Sequence, residues 1–127
     1  MPTYYTPREA NNLLEIVRPI VAELMGIGER IRDHQPEIWS AVEKSAGNGG
    51  NPALSKLLPD FDRLDALIHR LQDMGIEVKD IATGLIDFPA LRDGRAIYLC
   101  WKYNEESIQF WHEMDAGFAG RQRIDWD

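Results

Sequence analysis

The chain has 127 residues, of which 44% are hydrophobic and 28% charged, as is ordinary for one soluble globular domain. Its net charge of −7 and the lack of a basic run disfavour nucleic acids and anionic membrane surfaces as partners. The apolar runs are too short to span a membrane, and the first residues have no signal-peptide pattern. The lone Cys100 excludes an internal disulfide, so we expect a reduced, cytoplasmic protein.

The first helix is predicted to begin after Thr6. Thr6 and Glu9 have the spacing of a capping box, and Pro7 occupies the first helical position, where its missing N–H does no harm. We expect Pro19 to kink this helix and Pro36 to break it. Apolar residues recur at alternating steps of four and three, which predicts a seam that faces another helix. These residues are Leu13, Val17, Ile20, Leu24, Ile27 and Ile31.

A connector rich in Gly and Asn, residues 46–51, separates the first helix from a second one. Pro52 repeats the start signal, and Gly75 suits the position after the last turn. The second seam consists of Leu57, Phe61, Leu64, Ile68 and Leu71. The two seams predict an antiparallel helical hairpin over about residues 6–75. Because one small chain rarely buries both flanks of so long a seam, we expect a homodimer or a higher assembly through the helices.

The remainder of the chain predicts a small antiparallel β-meander, because alternating and β-favouring runs are separated by turn signals. The predicted strands are residues 76–80, 85–91, 96–103 and 108–114. A glycine-rich loop over 115–121 and a polar, loosely held tail follow. The expected fold class is α+β: a long antiparallel helical hairpin packed on a meander of three to four strands. We expect a single domain, 1–127, with the meander and loop over about 76–121.

The turns predict which residues of neighbouring strands face each other. A two-residue turn at Asp93-Gly94 and a four-residue turn at 104–107 pair Asp87 with Cys100, Leu99 with His112 and Tyr98 with Glu113. This register places His112 on the apolar face that packs on the helices. The other face collects Asp87, Tyr98, Cys100, Lys102, Trp111 and Glu113. A slip of one residue would exchange the two faces.

Three residues at the end of the last strand, His112, Glu113 and Asp115, are candidate ligands of a divalent metal. No established metal spacing such as HExxH is present. Neighbours in a strand face opposite sides, so His112 and Glu113 can share a metal only if the strand ends or bulges there. Asp87, His112 and Glu113 are the catalytic candidates, as acid–base groups. The structural alternatives are a hydrogen-bonded core histidine and solvated carboxylates.

The loop from Gly117 to Arg121 can hold an anion through backbone N–H groups and the guanidinium. It lacks the lysine and Ser/Thr of a P-loop, and the alternative is a simple turn followed by a salt bridge of Arg121. Tyr98, Trp111 and Arg121 are the candidate ligand-binding residues. Cys100 lies in an apolar strand and is not expected to be an activated thiol.

Several motifs along the chain resemble those of one bacterial family. They are Tyr5–Leu14, Glu77–Asp80, Gly84–Ala90, Tyr98–Lys102 and Trp111–Arg121. Together they resemble the family known as domain of unknown function 2203, and the likeness covers nearly the whole chain. The resemblance implies a small bacterial cytosolic protein, with no established activity, substrate or catalytic residue to transfer.

Two functional hypotheses follow. The leading one is an oligomeric binding or regulatory protein whose sheet and C-terminal loop hold a small-molecule ligand or a partner. The alternative is a metal-assisted hydrolase or related enzyme that uses His112, Glu113, Asp115 and Asp87. The enzyme requires these groups to converge on one cleft.

Overall fold

The structure, a computed structural model, describes residues 3–34 and 52–127, with side chains from residue 55 in the second range. Its helices are α1, Pro7–Asp33, and α2, Pro52–Asp73; its strands are β1, Glu77–Asp80; β2, Leu85–Arg92; β3, Arg95–Trp101; β4, Phe110–Glu113; and β5, Gln122–Arg123. The strands form one antiparallel sheet in chain order. The predicted α+β fold is therefore confirmed. The predicted break at Pro36 and the connector at 46–51 lie outside the described residues.

The start of α1 has the predicted capping box. The backbone N–H of Glu9 donates to Oγ1 of Thr6 at 3.1 Å, and the backbone N–H of Thr6 donates to the Glu9 carboxylate at 2.9 Å. The helix continues through Pro19 to Asp33; a kink there stays a prediction. Its buried face carries Ala10, Leu14, Val17, Ile20, Val21, Leu24 and Ile27.

Two ion pairs show that α2 runs antiparallel to α1. Arg30 contacts Asp60 at 2.9 Å and Arg63 contacts Glu23 at 2.6 Å, so the later residue of α2 meets the earlier residue of α1. Along the predicted α2 seam Leu57 and Leu71 are buried, Leu64 and Ile68 are half-buried and Phe61 is exposed. Gly75 has φ of +81° just after the helix, as its predicted role requires. Neither described helix combines the length and the apolar character needed to cross a membrane.

The predicted pairing of β2 with β3 is confirmed. Asp93 and Gly94 both have positive φ, at 51° and 78°, which a two-residue hairpin turn of this kind requires. Asp87 consequently faces Cys100, and Phe88 faces Leu99. The fully buried Phe88 and Leu99 belong to the core that packs on the helices, so Asp87 and Cys100 lie on the opposite side of the sheet.

The predicted pairing of β3 with β4 is wrong by one residue. Tyr98 faces His112, and Leu99 faces Trp111. Trp111 therefore joins the core beneath the helices, whereas His112 lies on the side of Asp87 and Cys100. The tail also differs from the prediction, because Gln122 and Arg123 pair with β4 as a fifth strand.

The connection between β3 and β4 explains the shifted register. It spans residues 102–109 rather than a four-residue turn at 104–107. The side-chain amide of Asn11, on α1, donates to the carbonyl of Ile108 at 3.2 Å and accepts from its N–H at 2.7 Å. Arg18 donates to the carbonyl of Glu106 at 2.7 Å. These bonds hold Ile108 against the helix, so β4 begins two residues later than predicted.

Asn11→Ala tests this anchor. The substitution removes both bonds and leaves the N–H and C=O of Ile108, a residue with 4% of its surface exposed, without those partners. We expect the free energy of unfolding to fall by about 1–3 kcal/mol. Urea denaturation followed by circular dichroism measures it. The matched control is Asn12→Ala, at an exposed residue; equal losses from both substitutions would contradict the anchor.

Candidate functional site

Three neighbouring strands bring Asp87, Cys100 and His112 together on the side of the sheet that faces away from the helices. Asp87 lies in β2, Cys100 opposite it in β3, and His112 in β4. Their exposed fractions are 2%, 1% and 2%. One side-chain N, O or S atom of each lies within 4.8 Å of those of the other two. We call these three residues the buried cluster.

The imidazole of His112 is held at both nitrogens. Its Nδ1 lies 2.7 Å from the carbonyl oxygen of Glu113, and its Nε2 lies 3.0 Å from Oδ2 of Asp87. A carbonyl only accepts hydrogen bonds, so Nδ1 carries a hydrogen. Nε2 is the nitrogen that faces the carboxylate, and its lone pair is available when the ring is neutral.

The carboxylate of Asp87 is only partly satisfied. Burial raises the pKa of Asp87, although His112 and Cys100 oppose the shift. Oδ1 is buried and has no hydrogen-bond partner among the described residues. The Cys100 thiol lies beside the carboxylate without hydrogen-bonding geometry to Oδ1.

Cys100 has the environment of an unreactive thiol. Burial, together with the nearby charge of Asp87, raises the pKa of Cys100 to about 12. The neutral thiol therefore predominates near neutral pH, in agreement with the expectation that this cysteine is not an activated nucleophile.

A cavity of about 180 Å³ opens beside the buried cluster. Its lining also includes Lys79, Leu85, Tyr98, Met114, Gly117 and Phe118. Met114, Gly117 and Phe118 belong to the loop that follows β4, so this loop covers the polar side of the sheet. Lys79 is the cation in the lining, and its ammonium group lies 2.7 Å from the carboxylate of Glu77.

Arg121 fastens the far end of this loop. Its guanidinium donates to the two carboxylate oxygens of Glu105 at 2.6 and 2.8 Å and to the carbonyl of Cys100 at 3.2 Å. It also lies 4.2 Å from the ring centre of Phe110 and 4.8 Å from that of Phe118. The arginine thus makes the salt bridge that was the structural alternative to anion binding.

The model of the family described as uncharacterized conserved protein (DUF2203) matches residues 3–124. The chain belongs to this family. The resemblance drawn from its motifs is thereby confirmed. Comparison with curated proteins and with solved structures gives no match. The description of DUF2203 contains no activity.

The structure of this DUF2203 protein separates the residues that the sequence proposed as one metal site. His112 points into the buried cluster, but Glu113 pairs with Arg95, whose Nε lies 2.9 Å from its carboxylate. That pairing lowers the pKa of Glu113. Asp115 is exposed. Of the residues proposed for the enzyme, Asp87 and His112 converge on one cavity, and Glu113 and Asp115 are not in its lining.

The proposed ligand-binding residues are also separated. Tyr98 lines the cavity, with its ring centre 5.6 Å from that of His112. Trp111 packs in the core, near Trp126 and the guanidinium of Arg92. Arg121 holds the loop from outside the cavity lining.

Sequence reasoning missed the association of Cys100 with His112. The pairing of Asp87 with Cys100 could be predicted, because the Asp93-Gly94 turn determines it. The position of His112 beside them depends on the register of β4, which the hydrogen bonds of Asn11 determine from a distant part of the chain.

Asp87→Asn tests the electrostatics of the buried cluster. A carboxyl group whose pKa is raised on folding stabilises the fold below its unfolded pKa of about 3.9, and this contribution is lost as pH rises through the folded pKa. Asparagine does not titrate and can still donate to Nε2 of His112. We therefore expect the Tm of D87N, relative to wild type, to increase from pH 4 towards neutrality.

Thermal melts followed by circular dichroism in the presence of a chelator measure this difference. The control is Asp115→Asn, at an exposed aspartate near the loop. A D87N difference that stays constant or decreases with pH would contradict the assignment of a burial-raised pKa to Asp87.

Proposed function

We propose that this protein is a binding protein whose small ligand occupies the cavity beside the buried cluster, beneath the loop at residues 114–121. Asp87 and His112 are the polar groups that recognise the ligand. The observation that carries this proposal is Oδ1 of Asp87, a buried carboxylate oxygen that has no hydrogen-bond partner among the described residues and lies beside a partly open cavity.

The energetic cost of such an oxygen supports a binding role. A buried acceptor left without a hydrogen bond costs about 1–3 kcal/mol, and more when it is charged. The neighbouring interior positions of the sheet carry apolar residues such as Ile86 and Phe88, which incur no such cost. A ligand that completes the hydrogen bonding of this carboxylate would account for its position.

The dimensions of the cavity limit the ligand. At about 180 Å³ it is smaller than the roughly 300–1,000 Å³ of pockets for drug-sized molecules. An ion or a molecule of a few heavy atoms fits this space. Because Oδ1 can only accept when Asp87 is ionised, the group that meets it is a cation or a hydrogen-bond donor.

The same proposal includes a bacterial cytosolic setting and a homodimer formed through the helices. The motif resemblance supports the bacterial setting, and the buried, unpaired Cys100 is compatible with a reducing compartment.

Leu58 and Phe61 on α2, exposed at 55% and 37%, supply apolar surface for association into the proposed homodimer. Analytical ultracentrifugation of wild type and a Leu58→Glu variant tests the dimer; two monomeric samples would contradict it.

Native mass spectrometry of the full-length protein, purified without chelator, tests the binding function. We expect a bound species on the wild-type protein that is lost or strongly reduced in Asp87→Asn. Glu113→Gln is the matched control, because this neighbour of His112 carries a carboxylate that pairs with Arg95 outside the cavity. E113Q should retain the ligand at the wild-type occupancy.

Equal occupancy of the bound species in wild type and D87N would show that the ligand does not bind in this cavity. A wild-type protein that has the mass of the bare chain, and that gains no bound species after incubation with cell extract, would contradict the binding function.

A further inference from the structure

We propose that the buried cluster binds one divalent transition-metal ion of the zinc class through a carboxylate oxygen of Asp87, Sγ of Cys100 and Nε2 of His112. This inference rests on the proposed binding function and names the class of its ligand. It replaces the ligand set of His112, Glu113 and Asp115 that the sequence suggested.

The donor atoms select the metal class. The cluster offers one carboxylate, one sulfur and one imidazole nitrogen within 4.8 Å of one another. Zinc takes all three donor types at about 2.0–2.3 Å, so its ligand atoms lie closer together than 4.8 Å and a small inward shift suffices. Mg²⁺ and Ca²⁺ prefer oxygen donors, which disfavours them in a site with one carboxylate.

The surroundings orient the ligands as a metal site requires. The hydrogen bond from Nδ1 of His112 to the carbonyl of Glu113 leaves Nε2 as the nitrogen directed at the cluster. A metal-bound histidine commonly makes this type of outer bond, which fixes its tautomer and ring orientation. No described residue donates a hydrogen bond to Oδ1 of Asp87, although this residue is only 2% exposed, and this oxygen is a second and independent indication that the cluster takes a cation.

The charges around the cluster allow a cation to bind. Lys79 lines the cavity, but its charge is compensated by Glu77 at 2.7 Å. Arg121, which donates to the carbonyl of Cys100, is compensated by Glu105. A metal also displaces the proton from a coordinating thiol, so Cys100 would bind as a thiolate and release its proton to solvent.

The cavity leaves room for a fourth, exchangeable ligand. A closed structural zinc site has four protein ligands, whereas three ligands and an open position are typical of sites that bind a further molecule. Here three protein donors border about 180 Å³ of space. The metal would therefore remain accessible to water or to a small molecule beneath the loop.

Titration of chelator-treated, full-length protein with Zn²⁺ and with Co²⁺ tests the site. We expect one equivalent of each ion to bind, and Co²⁺ to produce a thiolate-to-metal charge-transfer band. Cys100→Ser should abolish this band. C100S and Asp87→Asn should each weaken Zn²⁺ binding by more than about 100-fold, beyond the range for losing an outer-shell partner.

Glu113→Gln and Asp115→Asn are the matched controls. Their Zn²⁺ affinities should stay within about twofold of wild type, because both charges lie outside the cavity lining and are screened by salt. Circular dichroism of each variant checks that it is folded. C100S is close to isosteric, and the cobalt band reports the thiolate directly, so the test does not depend on a variant of His112.

The outcomes separate this inference from the binding function. No Zn²⁺ or Co²⁺ binding by wild type, an unchanged affinity in C100S and D87N, or a loss in E113Q or D115N would overturn the metal site. A bound organic species in native mass spectrometry together with no metal binding would overturn the metal site alone. The absence of every bound species would overturn both.

Discussion

The hydrogen bonds between Asn11 and Ile108 determine the side of the sheet on which each residue of β4 lies. By holding Ile108 on α1, they delay the start of β4 and pair Tyr98 with His112. Because side chains alternate along a strand, this register places Trp111 in the core and His112 beside Asp87. A shift by one residue would bury the imidazole beneath the helices and expose the indole to the polar side.

The two sides of the sheet consequently have different covers and different chemistry. Beneath the helices, Ile86, Phe88, Leu99 and Trp101 form a continuous apolar layer, stabilised by burial from water. On the other side, the loop after β4 covers a small set of polar groups, and Arg121 holds it through Glu105. A loop fastened at its far end shields the cluster from water without filling the space beside it.

Local signals in the sequence predicted the local features of this fold. The capping box of Thr6 and Glu9 and the turn at Asp93-Gly94 depend on residues a few positions apart, and both are present. The turn also predicted the pair Asp87 and Cys100 correctly. Asp87, His112 and Tyr98 could be proposed as site residues because carboxylate, imidazole and phenol groups can exchange protons with a ligand or form hydrogen bonds to it.

Features that depend on distant residues could not be predicted in the same way. The amide of Asn11 binds Ile108 across 97 positions of chain, and no pattern within residues 102–109 reveals it. The short strand at Gln122 and Arg123 has no alternation to detect, because two residues are too few to show a period. Both features are decided by packing against elements formed elsewhere.

The two edge strands of the sheet, β1 and β5, limit how the molecule can aggregate. At one edge β1 has four residues, charged side chains at Glu77 and Lys79 and a register shift between Val78 and Asp80; at the other, β5 has two exposed residues. Short, charged and irregular edges are poor templates for a strand from another chain. Edge-to-edge addition of one chain after another, which would build a fibre, is therefore disfavoured.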